Sequence, residues 1–271
     1  IEMLSQNTYH MLKDVFLYNG RVVVDKNQVV LVTNLQDINQ EQFPSPYLTE
    51  IGEGKFIIEP INFFGIIELG AYFPNSANWY HFIVETLPIL IKCNPKKLKR
   101  RQFFVDSGTP IQILEIIRKF TGTDPIFTAS NQKILIRDLL YCQEDLKENS
   151  RFMNLPIVKL YFSSHYNFEN SLKYRLFIKR PNSSLRKLSN QSELEHYLAK
   201  SNFIFIEPEK LSLSEQIKYF SSATIIVAES GAALTNLIFV NQKTKVLEIN
   251  PGDGGIGFWQ KYAENCGISM K

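Results

Sequence analysis

Near the start of the chain, apolar positions alternate with polar ones over short stretches, which is the pattern of half-buried β-strands. The alternating stretches are residues 15–17, 21–25 and 28–32. Asn19-Gly20 separates the first two stretches, and this dipeptide favours a tight turn between antiparallel strands. The pattern therefore predicts that the chain opens with β-hairpins.

Beyond a connection that contains Pro44 and Pro46, continuous apolar runs of strand length alternate with amphipathic runs of helical length. The predicted strands are residues 66–69, 102–105, 134–140, 175–178, 203–206, 224–228 and 245–249, and the predicted helices are residues 77–92, 111–120, 155–166, 192–200, 213–221, 232–239 and a last one from Phe258. This alternation is typical of mostly parallel sheets covered on both faces. We therefore expect an α/β fold.

The polar stretch 143–151 interrupts this alternation and is the best candidate for a domain junction. We predict an N-terminal domain at residues 1–148 and a C-terminal domain at residues 149–271. Two successive α/β units joined by a linker predict a cleft between them, where ligands bind by default.

Composition narrows the function classes. The chain has 271 residues, and its 30 Lys and Arg nearly balance its 27 Asp and Glu, which argues against a nucleic-acid-coating protein. No apolar run approaches the ~20 residues that cross a bilayer. The three cysteines, an odd number without C-x-x-C spacing, suggest a reducing compartment and give no zinc signature. We expect a cytoplasmic protein.

Cations gather where the predicted strand 175–178 ends. They are Lys179, Arg180, Arg186 and Lys187. The carboxyl ends of parallel strands are where ligands bind in open α/β sheets, so these cations are candidates for binding an anion. A solvated loop explains the same composition equally well.

Small residues follow the strand 224–228, and a predicted helix comes next. Gly231 and Ala232 allow a ligand to approach the backbone closely, and free N–H groups at a helix start attract anions. The alternative is a tight turn that needs Gly231 for its backbone conformation. Glu248, near the end of strand 245–249, is placed to bind the hydroxyls of a ribose.

His81 and Glu85 are four residues apart in the predicted helix 77–92 and therefore share one face. A carboxylate that orients an imidazole is the arrangement of a general base. The alternative is a capped amphipathic helix whose polar pair has no chemical role. A zinc site needs a third ligand, and the other histidines lie at no metal-binding spacing, so we predict no metal site.

A basic run at Lys96–Arg101 follows this helix. Most such runs are solvated surface. This one is also a candidate for peripheral contact with the anionic inner face of a membrane.

Several segments in consistent order add up to a family pattern. They are N-W-Y-H-F-I-V-E-T-L-P-I-L at 78–90, L-F-I-K-R at 176–180, L-S-L-S-E-Q-I at 211–217, G-A-A-L-T-N-L-I-F at 231–239 and K-V-L-E-I-N-P at 245–251. The first resembles the N-x-x-H-x-x-x-E-x-L-P signature of glycosyltransferase family 61, of the bacterial capsular polysaccharide type. The resemblance implies a GT-B-like architecture of two Rossmann-like domains with an interdomain cleft. It also implies inverting, metal-independent transfer from a nucleotide-sugar donor to a glycan acceptor, without a cofactor.

The resemblance also implies roles for individual residues. Arg180 and Arg186 would bind the donor diphosphate, and Gly231 and Ala232 would bind its phosphates through backbone N–H groups. Asn236 would support that loop, and Glu248 would lie near the nucleoside. His81 and Glu85 would face the acceptor from the first domain. Of the two, we expect His81 to be the base.

Ser230 stands where family members commonly carry a histidine before the glycine. This difference leaves open a second reading, in which the chain is a non-catalytic nucleotide-sugar-binding or scaffold subunit of a glycan assembly complex.

Overall fold

The computed structural model describes residues 9–18, 22–24, 30–32, 48–52, 55–58, 63–72, 78–106, 108–128, 133–142, 152–168, 171, 173–180, 188–250 and 257–270. The chain divides into two compact units. Unit 1 comprises Ile1–Ala77 and Lys92–Asp145, and unit 2 comprises Asn78–Ile91 and Leu146–Lys271.

The described residues form a mixed α/β structure, as the sequence predicts. The strands are β1 (Tyr9–Tyr18), β2 (Val22–Val24), β3 (Val30–Val32), β4 (Leu48–Gly52), β5 (Lys55–Ile58), β6 (Phe63–Tyr72), β7 (Gln102–Asp106), β8 (Ile126–Thr128), β9 (Lys133–Cys142), β10 (Tyr174–Ile178), β11 (Phe203–Ile206), β12 (Ala223–Glu229) and β13 (Lys245–Ile249). The helices are α1 (Trp79–His81), α2 (Leu87–Lys92), α3 (Pro95–Leu98), α4 (Ile111–Thr121), α5 (Leu155–His165), α6 (Gln191–Lys200), α7 (Leu213–Ser221) and α8 (Phe258–Asn265). A π-helical turn spans Phe82–Thr86, and 3₁₀-helices span Pro208–Lys210 and Ala232–Phe239.

Unit 1 contains a seven-stranded sheet in the order β3-β2-β1-β9-β6-β7-β8. The first three strands pair antiparallel, which confirms the predicted hairpins, and β9, β6, β7 and β8 pair in parallel. Strand β1 also pairs antiparallel with β9. Residues on four strands of this sheet form a buried apolar cluster, whose largest members include Phe104, Tyr72 and Tyr141.

Arg101 is a structural residue of unit 1, and it is only 5% exposed. Its guanidinium donates to the carbonyls of Gly70 and Asp138 and to Oδ1 of Asp138, while Nε donates to the carbonyl of Lys97. The prediction of a basic surface at Lys96–Arg101 is therefore wrong for Arg101, because burying a guanidinium requires these partners.

Unit 2 contains a four-stranded parallel sheet in the order β11-β10-β12-β13. The chain passes from β10 to β11 on one side and then returns to place β12 on the other side. The strand order therefore reverses between β10 and β12, and such a switch point opens a crevice at the carboxyl ends of the two strands. Ile178, Ala228 and Glu248 lie in one register row across the sheet, so these strands end together.

The 3₁₀-helix Ala232–Phe239 forms the centre of unit 2, where it packs against α1, α5, α7 and α8. Leu234, Leu237 and Phe239 are buried, and the Phe239 ring meets Phe162 edge to face at 4.8 Å between centroids. The sequence predicts this helix at the right residues. Its tighter 3₁₀ winding is not readable from an apolar pattern.

The helical segment that begins at Trp79 is capped by Asn78, whose Oδ1 accepts from the N–H groups of Tyr80 and His81 at 2.9 and 3.3 Å. The segment widens into the π-helical turn, in which the N–H of Leu87 donates to the carbonyl of Phe82. Pro88 follows directly and has no N–H to donate, and the wider turn accommodates its ring without ending the helix.

This helical segment groups with unit 2, although residues 78–91 fall within the N-terminal domain 1–148 predicted above. The reason is packing, because α1 lies against the 3₁₀-helix of unit 2. The predicted interdomain cleft stays a prediction.

Among the described helices, none combines the length and the hydrophobicity needed to span a lipid bilayer.

Candidate active site

The carboxyl ends of β10 and β12 bring two of the predicted site residues into contact. Arg180 follows β10 and Gly231 follows β12, on either side of the switch point. A Cβ atom added to Gly231 would lie 2.6 Å from Nη2 and 3.1 Å from Cζ of Arg180. The guanidinium therefore packs directly on the backbone of the small-residue turn.

Gly231 is required for space and not for its backbone conformation. Its φ of 164° and ψ of 175° describe extended backbone, which any residue adopts. The alternative that a tight turn needs Gly231 for its φ is therefore wrong. A side chain at this position would displace the Arg180 guanidinium, so the glycine keeps the cation close to the main chain.

The turn continues into the 3₁₀-helix, where Ala232 is exposed and Gly231 is half-buried. N–H groups at the start of a helix have no acceptor within the helix, and they carry partial positive charge. The Arg180 guanidinium and these N–H groups therefore combine positive potential at one place, which suits an anion.

The other cations of this region have different surroundings. Nζ of Lys179 lies 3.0 Å from Oε1 of Glu195 on α6. Burial by itself raises the pKa of Glu195, but hydrogen bonds from Lys179 and Gln191 outweigh it and lower the pKa below its ordinary value. Lys179 is therefore engaged with α6. Arg186 and Lys187 lie outside the described residues.

Glu248 lies on β13 in the register row that contains Ala228 of β12. Its Oε1 atom is buried and has no hydrogen-bond partner among the described residues. A buried acceptor of this kind is suited to a hydroxyl donor from a ligand.

His81 and Glu85 form the predicted pair. Nδ1 of His81 lies 2.8 Å from Oε1 of Glu85, and the side chains are 39% and 10% exposed. The carboxylate is held at the edge of the core while the imidazole remains accessible. With Nδ1 engaged, the chemically useful nitrogen of the ring is Nε2.

Trp79 joins this helix to the 3₁₀-helix that follows the turn at Gly231. It is not among the site residues that the sequence predicts. Its indole Nε1–H donates to Oδ1 of Asn236 at 2.9 Å. Asn236 is fully buried in the 3₁₀-helix that begins after Gly231. The only signal in the sequence was the position of Trp79 inside the motif that contains His81.

A family model described as Glycosyltransferase 61 matches residues 79–247 of this chain, which is more than half of its length. The chain belongs to glycosyltransferase family 61. It is therefore a glycosyltransferase, and membership of an enzyme family supports the predicted catalytic function over the scaffold alternative. No curated protein matches the chain.

The matched region of this glycosyltransferase contains all but one of the predicted site residues. Glu248 follows the last matched residue directly, and the helix cap Asn78 precedes the first. The bacterial capsular type remains a prediction.

Cys93 and Cys266 of the glycosyltransferase are free and buried. Burial raises the pKa of both thiols, to about 12 for Cys266. Because the thiolate is the nucleophile, neither group is activated for covalent chemistry at neutral pH.

Proposed function

We propose that this glycosyltransferase moves a sugar from a nucleoside-diphosphate donor to a hydroxyl of a glycan acceptor. The transfer inverts the anomeric centre, needs no metal ion and contributes to a surface polysaccharide such as capsule or lipopolysaccharide. The two units correspond to the domains of a GT-B enzyme, and unit 2 binds the donor. The observation that carries the proposal is the packing of the Arg180 guanidinium on Gly231 at the switch point of the unit 2 sheet.

The chemistry at this switch point is leaving-group stabilisation. When the bond between the sugar and the diphosphate breaks, negative charge develops on the diphosphate, and fixed donors aimed at that charge lower the barrier. Arg180 supplies a permanent cation with two edges of N–H donors, and the turn at Gly231 and Ala232 supplies backbone N–H groups. Arg186 is a second diphosphate ligand in this proposal.

The other half of the reaction is activation of the acceptor. A sugar hydroxyl becomes a better nucleophile when a base removes its proton in the transition state. His81 takes this role through Nε2, and Glu85 fixes the tautomer by holding Nδ1 at 2.8 Å. The proton passes from the acceptor oxygen to His81 as the new glycosidic bond forms and the bond to the diphosphate breaks.

Glu248 completes the donor site by accepting hydrogen bonds from the ribose hydroxyls of the nucleoside. The buried Oε1 atom described above supports this role, since a hydroxyl donor would satisfy it.

Exposed cations of unit 1 support a peripheral contact with the inner membrane face of a cytoplasmic enzyme. Lys96, Lys99 and Arg100 remain exposed, and charges of this kind attract anionic lipid headgroups.

The test is a transfer assay with a panel of nucleotide-sugar donors on wild-type protein, Arg180→Ala and His81→Ala. Arg180→Ala is expected to lower kcat/KM for the donor about 100-fold or more, because a charge-stabilising donor in the transition state is lost. Arg180→Lys retains the charge without the planar fork and is expected to recover only part of this loss. Wild-type rates in Arg180→Ala would contradict the diphosphate assignment.

His81→Ala is expected to lower kcat while the affinity for the nucleotide stays near the wild-type value. It is also expected to remove the limb of the pH–rate profile that reports the base. An unchanged pH–rate profile would exclude His81 as the proton acceptor.

A further inference from the structure

We propose that Trp79 is a positioning residue that keeps the His81–Glu85 pair in fixed register with the turn at Gly231. The inference rests on the proposed function, because it takes His81 as the proton acceptor and the turn as the diphosphate site. Trp79 acts through Asn236.

The hydrogen bond between the two side chains has a defined direction. An indole nitrogen donates and never accepts, so the amide atom that faces Nε1 of Trp79 at 2.9 Å must be Oδ1 of Asn236. The bond therefore fixes which way the Asn236 amide points.

Trp79 holds this orientation without help from the other end of the amide. Nδ2 of Asn236 is buried and makes no hydrogen bond to any described residue. Loss of the indole donor would leave both ends of a fully buried amide without a partner, and the amide would be able to turn or shift.

The bond joins the two elements that carry the proposed chemistry. Trp79 lies two residues before His81 at the start of α1, and Asn236 lies five residues after Gly231 in the 3₁₀-helix. Apolar packing between these helices is non-directional and tolerates sliding. A directional bond at this contact sets one register, and transfer requires the base and the leaving-group site to keep a fixed separation.

A second buried hydrogen bond to the same 3₁₀-helix provides a matched comparison. The hydroxyl of Tyr262 on α8 donates to the carbonyl of Thr235, also at 2.9 Å. Tyr262→Phe removes a buried donor next to Asn236 but leaves α1 attached. If buried bonds to this helix serve stability alone, Trp79→Phe and Tyr262→Phe affect catalysis alike.

The experiment compares Trp79→Phe, Tyr262→Phe and the double variant Trp79→Phe/Asn236→Leu in thermal unfolding and in steady-state transfer. Both single variants are expected to lose stability. Trp79→Phe alone is expected to lower kcat about 10-fold or more with little change in the KM for the donor, since small displacements of reacting groups carry penalties of this size. Tyr262→Phe is expected to keep kcat close to the wild-type value.

The double variant covers the case in which Trp79→Phe folds poorly. Replacing both partners by apolar groups of similar shape removes the unpaired buried amide and restores stability. A double variant that is stable but slow supports the positioning role. Recovery of kcat together with stability, or wild-type kcat in Trp79→Phe, would overturn it.

A readout without turnover separates failure of this inference from failure of the proposed function. The NMR signal of the His81 ring, assigned with His81→Ala, is expected to shift when pyrophosphate binds, to lose this response in Trp79→Phe and to keep it in Tyr262→Phe. A wild-type protein that transfers no sugar, or whose His81 signal does not change with pyrophosphate, contradicts the proposed function. A His81 signal that responds to pyrophosphate in the wild type and still responds in Trp79→Phe contradicts the positioning role.

Discussion

At the scale of single residues, Gly231 shows how a glycine is needed for the space it leaves. Its backbone is extended, so a side chain causes no conformational strain. The obstacle is the guanidinium of Arg180, whose Nη2 lies 2.6 Å from the position a Cβ atom would take. The guanidinium is the far end of a flexible side chain, so it moves at little cost to the fold but loses its position.

We therefore predict that Gly231→Ala separates activity from stability. The free energy of unfolding is expected to change by less than about 1 kcal/mol, because the backbone conformation suits alanine. The kcat/KM for the donor is expected to fall about 10-fold or more as Arg180 is displaced. Chemical denaturation and the transfer assay measure the two quantities.

Gly108→Ala is the matched control for this change. A Cβ atom at Gly108 would meet nothing within 4 Å, so both stability and activity should remain near wild type. Equal activity losses in the two alanine variants would show that Gly231 has no special relation to Arg180.

The sequence predicts the residues that touch at the switch point but not the reason for their contact. Arg180 and Gly231 are candidates because each follows a predicted strand, and parallel strands end at one edge. The spacing of residues along a chain does not reveal that one side chain fills the space above another residue's backbone. The same limit explains why Trp79 was missed and why Arg101 was expected at the surface.

At the scale of elements, α1 depends on its cap. The Asn78 side chain accepts from two backbone N–H groups, one of them that of His81, and so holds the start of the helix that carries the base. A second helix, α3, begins in the same way at Asn94, whose Oδ1 accepts from the N–H of Lys96 at 2.9 Å.

Asn78→Ala is expected to lower the free energy of unfolding by about 1 kcal/mol and to lower kcat, because the first turn of α1 frays. Asn78→Ser restores a capping oxygen and should recover both. Asn94→Ala removes the same kind of cap in unit 1, so it should lower stability without lowering kcat. A comparable fall in kcat for Asn94→Ala would mean that the activity loss reflects general destabilisation.

The predicted strands and helices all have counterparts, but the sequence does not predict every element. β8, α3 and the hairpin of β4 and β5 have no predicted counterpart. Length alone is not the reason, because β2 and β3 are as short and were predicted from the alternation of apolar and polar residues. The π-helical turn before Pro88 depends on local geometry that no hydrophobic pattern records.

At the scale of the whole molecule, unit 1 contains an ion-pair network of Lys13, Arg101 and Asp138, whereas the candidate active site belongs to unit 2. Burial by itself raises the pKa of Asp138, but hydrogen bonds from Lys13 and Arg101 outweigh it and lower the pKa below its ordinary value of 3.8. A lowered native-state pKa stabilises the fold above the unfolded-state pKa, and this stabilisation is lost as the pH falls through the native-state pKa.

We predict that Asp138→Asn lowers the stability of unit 1 by about 2 kcal/mol at neutral pH, because hydrogen bonds to a charged group are lost. The difference between variant and wild type should shrink as the pH falls from about 4, where the carboxyl of the unfolded chain becomes protonated, through the lower pKa of the folded carboxyl. Denaturation curves of both proteins across this pH range measure the difference in their free energies of unfolding. A difference independent of pH would show that the ionised form of Asp138 contributes nothing.

The division of the chain between units was the least predictable feature. The sequence order places residues 78–91 in the first half, yet their packing places them with the second. Which sheet a helix joins depends on tertiary contacts such as that of Trp79 with Asn236. As a result, the candidate base, the carboxylate that pairs with it and the candidate anion-binding turn all belong to unit 2.

The most direct test of the central claim, that Arg180 and the turn at Gly231 bind the diphosphate of the donor, is a calorimetric titration. Nucleoside diphosphate and nucleoside monophosphate with the same base are titrated into wild-type protein and into Arg180→Ala. We expect the wild type to prefer the diphosphate by about 10- to 100-fold and Arg180→Ala to lose this preference, because charge-assisted hydrogen bonds to the second phosphate are removed. An undiminished preference for the diphosphate in Arg180→Ala would contradict the claim.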